Sequence, residues 1–359
     1  MHAHTRTVFR RALLVAVMIL CCGWPGVPGA AADSEILYPT ARFPHHGLSQ
    51  VAISGETLVF ASYNLESGTG GKAWVYRRTN GSWQLETILL PPPSLPVDAI
   101  FGYSVGVSGD TIVIGAPPLV VYVFVRQPET GWVQQAALPV QQVENSPDFG
   151  FRVAVSGDRL LVGAPSLAEA QRVGGSAYSY HRAGGAWRRD ALFFDPENDQ
   201  YGSIIALDGA LAAVGSGPGL IDTYLLGLGR HGWLRQAPVA AGDSISSISL
   251  SGNTLAAGSF RDELAIWQFR NNGTWTLQSM LPVHSSALAL DDDTLAVTAT
   301  DGTVQIYRRQ GRQGPWLLAA TLVEPRANQA PGFGASLAVS AGTAVVSSDN
   351  PVWAFTVGN

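Results

Sequence analysis

The chain has 359 residues, 46% of them hydrophobic and only 14% charged, so it can fill a core and lacks the composition of a disordered chain. A formal charge of −5 argues against a nucleic-acid binder. The 40 Gly and 22 Pro are scattered between short apolar runs, which favours a turn-rich all-β protein over a low-complexity linker.

Residues 1–32 read as a secretory signal. Arg6, Arg10 and Arg11 give a charged start, and Ala12 to Cys22 is an apolar stretch too short to span a bilayer. Ala30-Ala31-Ala32 offers a small-residue cleavage site, which leaves residues 33–359 as one exported domain, secreted or periplasmic. Both cysteines, Cys21 and Cys22, lie inside the signal, so the mature chain has no disulfide. A lipid anchor through either is the rival reading, disfavoured because Leu20 and Cys21 precede them rather than small residues. No other apolar stretch approaches transmembrane length.

From residue 53 onward the chain repeats itself. Val107–Pro117 (VSGDTIVIGAP) returns as Val155–Pro165 (VSGDRLLVGAP), with weaker copies starting at Ile53, Leu207, Leu250, Leu290 and Val339. The seven copies are 40 to 54 residues apart, the spacing of propeller blades. Each copy reads as four strands. Strand A leads into the Ser-Gly-Asp hairpin and strand B leaves it. Strand C carries aromatics two apart, such as Trp74 and Tyr76 or Tyr178 and Tyr180, which places both rings on one sheet face. Strand D opens with a tryptophan in six copies: Trp83, Trp132, Trp187, Trp233, Trp275 and Trp316. The last copy ends at Asn359 without a strand D. Glu35–Pro39 resembles the strand D stretch Thr87–Pro91 and is expected to pair with Val352–Thr356. The fold expected is therefore all-β: a seven-bladed β-propeller with an N-terminal strand closing the last blade.

These residues resemble the FG-GAP repeat family, known from the propeller of integrin α subunits. Phe101-Gly102 with Gly115-Ala116-Pro117, and Phe149-Gly150 with Gly163-Ala164-Pro165, are two full copies of its motif. Tyr201-Gly202 and Phe333-Gly334 keep the first half, and the short Ser-Gly-Asp hairpin is similar to a bacterial variant. The resemblance implies adhesion or ligand binding. It also implies, in many members, a Ca²⁺ loop of the Asp-x-Asp-x-Asp-Gly kind. No copy here carries that loop: the stretches after Asn64 and Gly163 hold one carboxylate each, Glu66 and Glu169. Asp291-Asp292-Asp293 falls in the hairpin slot and reads as a solvated turn. No metal or cofactor is expected.

Other motifs read as structure. Gly102-Tyr103-Ser104-Val105-Gly106 matches the nucleophile elbow but sits in a strand A slot, where the next copy has Arg152 and the last has Ser336. His45 and His46 are adjacent, so on a strand they face opposite ways and cannot easily share a metal. Gly215–Gly219 is followed by no helix that could hold a phosphate. The tryptophan and tyrosine series is a possible sugar ladder, but its regular recurrence favours packing between repeats. Asn80-Gly81-Ser82 and Asn272-Gly273-Thr274 match glycosylation sequons in hairpins where Asn-Gly is turn chemistry.

With no catalytic grouping to assemble, the expectation is a monomeric, non-enzymatic interaction or adhesion module that binds a protein or a glycan. The alternatives are a lectin-like sugar binder and a propeller hydrolase or lyase. The D–A and B–C loops share one rim and are rich in acids: Asp98, Glu144, Asp148, Asp195, Glu197, Asp199, Asp243 and Asp262 are the candidate partner-binding residues. The C–D hairpins opposite carry arginines, among them Arg78, Arg182, Arg188, Arg189 and Arg309.

Overall fold

The computed structural model describes residues 35–358 apart from 45–48, 64–70, 97, 141–147, 167–173, 217–218, 228–231, 243, 262, 312 and 326–331. Every regular element among them is a strand. The strands form seven sheets in a ring. Strand A of each blade lines the centre: Ser49–Ser54, Ser104–Ser108, Arg152–Ser156, Ile204–Asp208, Ile245–Ser251, Ser285–Asp291 and Leu337–Ser340. Each of these contacts the next, and the last contacts the first.

Position in the blade explains sequence pattern. Strand B has neighbouring blades on both faces, so it is a continuous apolar run; all of Thr57–Ser62, Thr111–Ala116 and Thr294–Ala299 are buried. Strand D faces solvent on its outer side and alternates, as in Ser82–Leu89 and Ala186–Asp195. There is no single central core. Seven hydrophobic clusters each join two adjacent blades; one combines Val59 and Val75 of blade 1 with Phe101, Ile112 and Tyr122 of blade 2. Strand D of five blades also carries a register shift against strand C, which twists this edge and discourages pairing with another chain.

The last blade is closed by the N-terminal segment, but not by the residues expected. Ala41–Phe43 pairs antiparallel with Val352–Thr356, setting Phe43 opposite Val352. Glu35–Leu37 instead runs parallel to Trp316–Leu322 as a fifth strand on blade 6. Burial decides between them. Phe43 is 3% exposed, whereas Ile36 and Tyr38 are 57% and 68% exposed and have no core to fill.

The Ser-Gly-Asp hairpins do more than turn the chain. Each first turn residue has a left-handed φ, glycine in five copies and Asp292 and Ala341 in the others, at 47° to 57°. Its N–H points to the blade before it. The hydroxyls of Ser54, Ser108, Ser156, Ser251 and Ser340 accept the N–H of Gly109, Gly157, Gly209, Asp292 and Gly55 at 2.9–3.1 Å. Asp208 and Asp291 accept those of Gly252 and Ala341 at 2.7 and 2.9 Å. Seven side chains thus close a circle of hydrogen bonds around one mouth of the channel.

Asp291 gives this circle a pH dependence. Burial raises its pKa, the Ala341 N–H opposes the rise, and the Asp292 and Asp208 carboxylates add to it. Such a carboxyl favours the fold when protonated. Its contribution is complete below the ordinary value of 3.8 and is lost as pH climbs through the raised folded value. Asp291→Asn keeps an acceptor and removes the charge. Thermal melts are expected to show it more stable than the parent at neutral pH, with the difference shrinking on acidification. An unchanged difference across the titration would contradict this.

Candidate functional site

The FG-GAP residues build the corner where each D–A loop delivers its strand to the channel. Phe101, Phe149 and Tyr201 are buried, and the following Gly102, Gly150 and Gly202 have φ of 86° to 93°. The N–H groups of these glycines bond to the carbonyls of Gly115, Gly163 and Gly215 within the same blade, at 3.1–3.2 Å. The second residue after the FG opens strand A at the channel wall in blades 2, 3 and 4 and directly precedes it in blade 7. In blade 2 it is Ser104, whose hydroxyl donates to the Gly150 carbonyl at 2.8 Å. In blade 7 it is Ser336, whose hydroxyl accepts the Val51 N–H at 3.2 Å. In blade 3 the slot is filled by Arg152, and in blade 4 by Ile204.

Arg152 marks the channel mouth on the rim of D–A and B–C loops. A cavity of about 260 Å³ lies there, lined by Gln50, Arg152, Ser203, Ser246, Ser247 and Ser286 among others. The guanidinium of Arg152 stands 5.0 Å from the Phe151 ring centroid. Phe151 leads outward to Tyr103 at 5.2 Å, and Tyr103 stacks on Tyr63 at 5.1 Å. Burial lowers the Arg152 pKa and raises that of Tyr103; the Tyr103 and Tyr63 phenols draw Arg152 back up. An arginine remains a cation under such pressure. Among the described residues Arg152 has no carboxylate partner. Across the cavity Ser246 donates to the Ser285 carbonyl at 2.6 Å, while the Ser247 hydroxyl is buried without a partner. Nothing in one repeat taken alone singles out Ser247 or Tyr63; they meet Arg152 only when the ring closes.

The acids expected on this rim are not equivalent. Asp98 and Glu197 are exposed. The Asp195 carboxylate accepts the Glu197 N–H at 3.0 Å, and that of Asp199 accepts the Gly174 N–H at 3.3 Å, so both hold the blade 3 turn. Asp148 lies in the turn before Phe149, its carbonyl accepting the Phe151 N–H at 3.0 Å. Glu144, Asp243 and Asp262 lie outside the described residues, as do the signal segment, His45, His46, Glu66 and Glu169.

On the opposite rim several arginines are absorbed by the fold. Arg78, Arg182 and Arg309 lie over Trp83, Trp187 and Trp316, with ring distances of 5.3–5.8 Å. They reach Thr343, Thr111 and Thr254 of the preceding blades at 3.0–3.2 Å. The strand D tryptophans also bind backwards: Trp132, Trp187, Trp233 and Trp275 donate to Glu86, Gln135, Ser179 and Thr223 at 2.8–3.0 Å. Those rings are struts between blades, as their recurrence suggested.

Other motifs resolve into structure. Ser104 is 3% exposed with its hydroxyl committed, in a strand rather than at a strand-to-helix turn. Asn80-Gly81 forms a two-residue turn with φ of 51° and 80°. The aspartate run is more engaged than a solvated turn: Asp291 accepts from Ala341, and Asp293 pairs with Arg309. No group of three or more His, Cys, Asp or Glu that could hold a metal occurs among the described residues. Because the loops after Asn64 and Gly163 hold only one carboxylate each, millimolar Ca²⁺ is expected to leave the melting temperature unchanged, whereas a ligand at one hundred times its Kd adds about 2.7 kcal/mol. A Ca²⁺-dependent rise reversed by chelator would contradict this.

The ring and its contacts define a class: a seven-bladed β-propeller stitched blade to blade, with its channel opening onto a rim of loops. The FG-GAP repeat model matches residues 132–180, from the outer strand of blade 2 through strand C of blade 3. That match and the seven-bladed ring fit an FG-GAP repeat propeller. No curated protein matches it. A chain in a crystal structure of a mitotic checkpoint complex is similar in fold, with a TM-score of 0.65 over 97% of this chain and 100% of that one. At 11% identity this likeness concerns the fold alone. Among the described residues no helix is long and apolar enough to cross a membrane.

Proposed function

We propose that the chain is an exported, non-enzymatic interaction module that docks a protein or glycan on its D–A and B–C rim. The observation that carries this reading is the channel mouth, where Arg152 breaks the repeat and faces an open, hydroxyl-lined cavity. Packing explains the recurring residues; it gives no reason for an arginine at that slot that has no carboxylate partner among the described residues. The signal-like residues 1–32 support export. The commitment of the Ser104 hydroxyl to a carbonyl supports a binding role over a hydrolytic one. The acids support a partner of opposite charge, since rim charges steer association.

A carbohydrate ligand is the second reading, favoured by the Tyr63, Tyr103 and Phe151 rings beside the cavity. Recovery of the partner by proximity labelling, followed by association kinetics, tests the proposal. Asp98→Asn with Glu197→Gln is expected to slow association at low salt and to have little effect at high salt. These two are chosen because Asp195 and Asp199 also hold a turn. Unchanged kinetics together with a loss on Arg188→Gln and Arg189→Gln would move the site to the opposite rim.

A further inference from the structure

We propose that the channel mouth is a subsite for a single acidic sugar residue, with its carboxylate on Arg152 and its hydroxyls on the serines across the cavity. The inference rests on the binding role assigned to this rim and adds the chemistry of what is bound. Charge comes first. Among the described residues Arg152 is the one cation lining the cavity, and a guanidinium takes a carboxylate through two parallel hydrogen bonds. A phosphate carries more charge than one arginine matches, and among the described residues no second arginine or lysine lines the cavity. Size comes next. About 260 Å³ lies just below the roughly 300–1,000 Å³ of ordinary small-molecule sites, which suits one sugar ring rather than a chain.

The polar lining then favours a polyol over the side chain of an acidic peptide. Ser203, Ser246 and Ser286 bring serines from three different blades to the lining. Phe151, Tyr103 and Tyr63 form a row of half-buried rings that starts at Arg152 and supplies aromatic surface for the next sugar along. The rim acids add a constraint. Exposed Asp98 and Glu197 repel a long polyanion, so the acidic residue is expected at an end or branch of an otherwise neutral glycan.

Calorimetric titration of the intact mature protein tests this with glucuronate and galacturonate, their neutral parents glucose and galactose, acetate, inorganic phosphate and a short polyglutamate peptide. At least one uronate is expected to bind tenfold or more tighter than its neutral parent and than acetate. Arg152→Gln is expected to abolish that preference, Arg152→Lys to retain part of it, and Ser286→Ala to weaken the uronate several-fold. Melting curves of the variants confirm that they fold. Failure of both uronates to bind would overturn the proposal, as would equal binding of uronate by the parent and Arg152→Gln. Tighter binding of phosphate, or of polyglutamate, would replace the ligand with that class. Partner capture that survives Arg152→Gln would sink the subsite and leave the binding role of the rim standing, whereas capture through the opposite rim would remove both.

Discussion

Phe43→Ala is expected to destabilise the whole ring by about 3–5 kcal/mol, the cost of emptying a buried aromatic site. Phe43 is the only residue of the closing strand that is buried. Its ring meets Tyr76 at 4.7 Å, edge to face, and Trp83 at 6.3 Å, both in blade 1, while its backbone pairs with Val352 in blade 7. The side chain therefore joins the first blade to the last. Its loss acts on closure of the circle as well as on one cavity. Removing residues 33–43 altogether is expected to cost more, because Val352–Thr356 then becomes a free sheet edge. Chemical denaturation measures both. If the deletion unfolds at the same denaturant concentration as the parent, closure by this strand contributes nothing.

The second large effect lies at Gly163. A methyl group there would overlap the carbonyl oxygen of Gly202, the FG glycine of the next blade, and both partners are backbone that cannot swing aside. Gly163→Ala is expected to lie at or beyond the upper end of the roughly 1–3 kcal/mol usual for overpacking. Gly215 holds the same place in blade 4, but blade 5 has no FG motif. A methyl on Gly215 meets nothing closer than 3.8 Å, so Gly215→Ala is expected to be neutral or slightly stabilising. Equal effects at the two positions would refute the reading of the paired motif as a close approach between blades.

Much of the fold was legible because each repeat announces itself twice, once as an apolar B strand and once as a hairpin of known geometry. The Gly-Ala-Pro and Phe-Gly pairs were legible as a motif, and the structure supplies their reason in the contact between Gly163 and Gly202. The closing strand was misplaced because Glu35–Pro39 matches strand D by local pattern, while the choice is made by Phe43 reaching a core formed by two blades distant in the chain. The serine before each turn was read only as part of a hairpin. Its bond crosses to the next blade, so no single repeat displays it. Arg152 was visible as a break in the Ser104 slot, yet its meaning depends on Ser203, Ser246, Ser247 and Ser286 arriving from other blades.

The direct measurement of where this propeller binds is the hydrogen-exchange footprint of the captured partner on the intact protein. Binding at the channel mouth predicts slowed exchange in residues 148–152, 203–205, 246–248 and 286–288, with the A–B hairpins around Gly109 and Gly157 unaffected. Protection confined to those hairpins, or to the C–D turns that carry Arg188 and Arg189, would place the partner on the other side of the ring and contradict the account.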